Sequence, residues 1–231
     1  MTKEIDKRSF DKETSDILTD TVTALAEGLT GIATSDRKEL GLSIGYIFQR
    51  LRGGQFLSQL TREWKKFQEK GRIKDDYQFT EQHKVCLQEV LDFLDKDSPD
   101  EMRFSALKQV FLLAATEEIS DRHSILPQQY MKICRTLTSG EILVLNACYQ
   151  MTQEEEPSKA REPATRWLDK VAKVSGLEHP ALVAFHEDEL INKKLLSERL
   201  GSERGKVFLN PYFRLTSLAY DICKYIESYT D

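Results

Sequence analysis

Two neighbouring stretches, RWLDKVAKVSGL (Arg166–Leu177) and HPALVAFHEDELI (His179–Ile191), decide how this chain is read. In the first, Trp167, Val171 and Val174 recur every three or four residues, the spacing of one apolar helix face. The second opens on proline and is apolar through Phe185. Next comes KKLLSERLGSERGKVFLNPYFRLT (Lys193–Thr216), whose apolar runs flank Gly201 and Gly205 like two short strands around a turn. SLAYDICKYIESY (Ser217–Tyr229) is again helical in its spacing.

Helix, helix, strand pair, helix is the order of a winged-helix domain. In that frame the join Phe213-Arg214-Leu215-Thr216-Ser217-Leu218 carries the last wing strand into the closing helix. The expected fold class is therefore all-α with a small β-wing. It comprises a charged, disordered tail (1–13), a helical region (14–120) and a winged-helix-like domain (125–229).

Upstream, Leu18, Val22, Leu25, Leu29 and Ile32 form one stripe, and Leu40, Ile44, Ile47, Phe48 and Leu51 another. Gly53-Gly54 reads as a break, with a helix from Gln55 to Lys70 after it. That helix carries Phe56, Leu60, Trp64 and Phe67 on one side. Asp75 to Phe79 reads as a polar connector before a helix from Thr80 to Asp97. Ser98-Pro99-Asp100-Glu101 and Thr138-Ser139-Gly140-Glu141 both carry start signals, an N-cap hydroxyl with glutamate three residues on. Between them the polar run Ser120 to Ser124 marks a joint, and Pro127 to Ile133 a short helix. Thr152 to Pro163 reads as a solvated loop.

The charge of the whole chain is −5, so it has no bulk attraction for nucleic acid, and any anion-binding surface must be local. One local anomaly exists. Residues 50–74 hold Arg50, Arg52, Arg62, Lys65, Lys66, Lys70, Arg72 and Lys74 against Glu63 and Glu69, a balance of +6. A helix with aromatics on one side and lysines on the other suits an anionic membrane, a phosphate backbone or an acidic protein. Its plain structural reading is an amphipathic helix with a buried stripe and a solvated face.

For the winged-helix-like end, DNA is the first partner to test. Major-groove reading requires Arg, Lys, Asn or Gln on the exposed face of the recognition helix. The helix in that place carries His186-Glu187-Asp188-Glu189, and residues 161–231 hold eleven Lys+Arg against eleven Asp+Glu. This favours protein contact, with a partner protein or a second copy. The best nucleic-acid face is Arg166, Lys170 and Lys173, joined by Arg204 and Lys206 at the wing.

Several enzyme signatures are missing: no GxGxxG, P-loop or HExxH occurs. His83 and Cys86 have ligand spacing, but two ligands do not close a zinc site. His179 and His186 read as structural, and Glu154-Glu155-Glu156 as solvation. Cys86, Cys134, Cys148 and Cys223 have no CxxC spacing and read as buried reduced thiols. No cofactor, metal or small-molecule substrate is expected. With no secretory signal and no apolar run of spanning length, the expected location is cytoplasmic, with peripheral membrane contact open to the basic helix.

Two segments together resemble a family. Phe111-Leu-Leu-Ala-Ala115, then Pro127, Tyr130 and Ile133, then Leu137-Thr-Ser-Gly-Glu-Ile142 running into the winged-helix-like end, is similar to the prokaryotic abortive-infection alpha group of helical proteins. The resemblance spans most of 20–226; residues 14–52 are less apolar and the loop 152–163 longer than its pattern. It implies a part in phage defence and carries over no catalytic residue. The combined expectation is a non-enzymatic interaction protein. The alternatives are a nucleic-acid-binding regulator and an enzyme whose site is assembled from scattered residues.

Overall fold

The computed structural model describes residues 51–74, 77, 80–97, 100–116, 126–154, 162–198, 200–203, 206–209 and 214–227. The stripes expected in residues 14–50 lie outside them. The described residues are mainly helical. The helices are α1 (Leu51–Glu69), α2 (Glu81–Lys96), α3 (Glu101–Ala114), α4 (Leu126–Thr136), α5 (Ser139–Glu154), α6 (Ala164–Ser175), α7 (Pro180–Asn192) and α8 (Ser217–Glu227). Three short strands accompany them: β1 (Glu162–Pro163), β2 (Leu200–Glu203) and β3 (Lys206–Leu209). Among the described residues no helix is long and apolar enough to cross a membrane.

The chain divides into two compact units, Met1–Arg135 and Thr136–Asp231. The division falls beyond the polar run Ser120 to Ser124. The reason is Arg135: its guanidinium lies 2.7 Å from Glu89 and 3.3 Å from Asp97, which ties α4 to α2.

In the first unit the helix expected from Gln55 already runs through Gly53-Gly54. Each glycine costs a helix about 1 kcal/mol, and the apolar stripe that follows outweighs this. Phe56, Leu60, Trp64 and Phe67 are all buried, with Phe56 stacked on Phe104 at 4.6 Å between ring centroids. Tyr77, in the stretch read as a polar connector, is buried as well. It meets Trp64 and His83 at the edge of an aromatic cluster. Thr80 caps α2, accepting from the His83 amide at 3.1 Å. The cap of α3 is Asp100, whose carboxylate accepts from the Arg103 amide. Ser98, the N-cap expected from the sequence, and Pro99 lie outside the described residues; the carboxylate directly preceding the helix satisfies the free amide.

In the second unit Thr138 and Glu141 form the reciprocal capping box. The Thr138 amide donates to Glu141 Oε2 at 2.6 Å, and the Glu141 amide donates to Thr138 Oγ1 at 3.3 Å. From this start α5 packs against both α6 and α7, and α6 packs against α7. Gly140 faces the His186 ring, where a Cβ would come within 2.2 Å of Nε2. Gly176, at φ +72°, ends α6 in the left-handed conformation that glycine adopts without strain. Strand β3 pairs antiparallel with β2 (Ser202 opposite Val207) and with β1 (Pro163 opposite Phe208), so the strand order is β1-β3-β2. Glu162 and Pro163, read from sequence as loop, are thus a strand. A proline is tolerated there because an edge position leaves its missing N–H without consequence.

Candidate functional site

The basic helix of the first unit and the α6–α7 pair of the second are the two candidate surfaces. On α1, Arg62, Lys65 and Lys66 are exposed and fall on one side of the helix, and Lys70, just past its end, is exposed as well. Glu63, which dilutes their charge in the sequence, is turned inward to Lys108 at 2.6 Å, with both side chains largely buried. Arg72 lies over the Phe67 ring, 4.3 Å from its centroid, and Lys74 is half-buried; neither belongs to the open face. Arg50 and the side chain of Arg52 lie outside the described residues. The aromatic stripe is occupied by the core of the unit, so the basic side alone is available to a partner.

On the buried side of α1 the aromatic cluster holds His83, with its ring centroid 5.2 Å from Trp64 and 5.7 Å from Phe111. Burial pushes its pKa down to about 4. Cys86 and Cys134 are pushed up to about 12 by the same cause. All four cysteines are buried and none is in a disulfide. Among the described residues no group of three or more His, Cys, Asp or Glu is placed to hold a metal ion.

In the second unit α7 is apolar on two sides. Val183 and Leu190 are fully buried, yet Phe185 remains 57% exposed and Leu182 41%. By helical geometry Phe185 centres the outward face, with Ala181 and Leu182 beside it and Asp188 and Glu189 on its flank. Glu187, read from sequence as one of three surface carboxylates, points inward instead. It accepts from Trp167 Nε1 and from Arg214 Nη2, each at 2.7 Å. Arg214 also donates to the Ser197 carbonyl. Two desolvated charges persist there because each satisfies the other and a third donor completes the carboxylate.

The face expected on α6 is present in part: Arg166 and Lys173 are exposed, while Lys170 is half-buried. Lys206 lies on β3 with its side chain outside the described residues, as is the whole of Arg204. Sequence reasoning missed the Trp167–Glu187–Arg214 cluster. Its one signal was an arginine set between Phe213 and Leu215, where a solvated side chain is unexpected.

Fold and surfaces together define two units, mainly helical over the described residues, with charged and apolar faces left open. No protein-family model matches this chain, and neither a curated protein nor a solved structure matches it.

Proposed function

We propose that this chain is a non-enzymatic interaction protein whose second unit is a winged-helix-like module that docks on protein through α7. The order α5-β1-α6-α7-β2-β3, with the early strand joining the later hairpin, supports the winged-helix reading. It puts α7 in the place of a recognition helix.

The observation that carries the functional reading is Phe185, more than half exposed at the centre of that helix's outer face. A duplex-reading helix needs side chains that hydrogen-bond base edges and neighbours that neutralise phosphate. This one offers Leu182 and Phe185 beside Asp188 and Glu189. An aromatic anchor flanked by carboxylates suits an apolar cleft rimmed by lysine or arginine on another protein. A two-fold contact between α7 helices of two copies would set these carboxylates against their own copies, so a different protein fits better. The open side of α1 is the second contact, toward an anionic partner, and the family resemblance supports placing both in prokaryotic phage defence.

The test is retention on the immobilised chain. A partner with such a cleft should be held by the wild type, resist a rise in salt, and be lost with Phe185→Asp. Reversal of Arg62, Lys65 and Lys66 to Glu should remove anionic ligands and leave the fold intact. Retention of nucleic acid that falls steeply with salt and survives Phe185→Asp would overturn the reading.

A further inference from the structure

Within the first unit, Lys84, Lys96, Lys108, Lys132 and Arg135 each have a carboxylate no farther than 3.9 Å away. Arg62, Lys65, Lys66 and Lys70 have none among the described residues, and all four are exposed. The unit thus neutralises its cations elsewhere and leaves these together in water.

The roughly 100° step of a helix sets the four side chains within an arc of about 140°, over about 12 Å of its length. Lys70 keeps to the arc because its amide still bonds to the Lys66 carbonyl at 3.1 Å. Glu69 is the one exposed carboxylate among them, since Glu63 is drawn inward to Lys108. Between Arg62 and Lys70 no apolar side chain shares the arc, because Trp64 and Phe67 are in the core. A folded protein partner draws its affinity from aromatic and aliphatic anchors, which this strip does not offer. A duplex holds its phosphates at fixed spacing, so part of its backbone would have to face Glu69. Lipids diffuse within a fluid bilayer, so anionic headgroups gather beneath the cations and neutral ones beneath the carboxylate. A cluster of four cations on one helix suits such a surface.

We infer that this strip lies flat against an anionic lipid bilayer, which depends on the anionic contact proposed for α1 and names its partner. No side chain of the strip inserts between the acyl chains, so the attachment is electrostatic and reversed by salt. Each cation near such a surface strengthens binding about fivefold.

The test is co-sedimentation of the full chain with vesicles of phosphatidylglycerol and phosphatidylcholine in equal parts, against vesicles of phosphatidylcholine alone. Binding to the mixed vesicles should exceed binding to the neutral ones about tenfold or more at ~0.1 M salt. It should vanish near 1 M, where the screening length has shrunk from about 10 Å to about 3 Å. The triple variant Arg62→Gln, Lys65→Gln, Lys66→Gln should bind about 100-fold more weakly at unchanged melting temperature, these positions being exposed. Phe185→Asp should bind as the wild type does. Equal binding to both vesicles, full binding by the triple variant, or binding that persists near 1 M salt would each overturn the assignment. Immobilised polyglutamate separates this failure from that of the anionic contact itself. Retention of the wild type but not of the triple variant on that polymer, without vesicle binding, would overturn the lipid partner and leave the contact standing. Loss of both would remove the contact as well.

Discussion

Helices α1 and α7 solve opposite problems. On α1 every large apolar side chain whose position is described is buried, and the outward residues are charged or polar. On α7 the inward face contains a carboxylate and the outward face an exposed phenylalanine. A helix of the first kind is complete within its own unit. The second is held from beneath by an ion pair and leaves apolar area in water, which is the condition under which association gains free energy.

The strongest way to break this contrast is to remove the charge beneath α7. Glu187→Ala leaves the Arg214 guanidinium buried without its partner, and should cost the second unit about 3–5 kcal/mol in denaturant unfolding. A loss below about 1 kcal/mol would mean the pair is solvated and α7 is anchored otherwise. Trp64→Ala on α1 should cost the first unit a similar 3–5 kcal/mol, by leaving a hole among Tyr77, His83 and Phe111.

Acid sharpens the difference between the units. His83 has a folded-state pKa of about 4, below the roughly 6.5 of an unfolded histidine. The folded first unit therefore binds fewer protons. Its stability is fully present above pH ~6.5 and falls as pH drops toward 4, by up to roughly 3 kcal/mol. Urea titrations of the wild type and His83→Phe at intervals across that window should show the slope in the first and a flatter profile in the second. The smallest expected effect is the most telling: Phe185→Ala should change stability by no more than about 0.5 kcal/mol. A loss like that of Trp64→Ala would show Phe185 to be core and remove the basis of the docking reading.

Much of this was legible beforehand where the signal is local. The stripe of α1 and the Thr138–Glu141 box involve partners within one or two turns, so spacing alone sufficed. Glu187 was misplaced because α7 is apolar on two sides, and periodicity then does not say which side turns inward. Its partners Trp167 and Arg214 stand 20 and 27 residues away. Glu162-Pro163 looked like loop because a two-residue edge strand has no periodicity to display; it is defined only by the strand it pairs with.

The sequence by itself determined the mainly helical content, several helix starts and the concentration of positive charge around α1. These depend on side-chain pattern, capping chemistry and composition, all of which act over a few residues. Only the tertiary structure decided that Glu187 is interior, that Glu63 leaves the basic face for Lys108, and that Phe185 is left in water. Each of those outcomes is fixed by which distant group is near enough to neutralise a charge or cover a ring, and distance in space is not written along the chain.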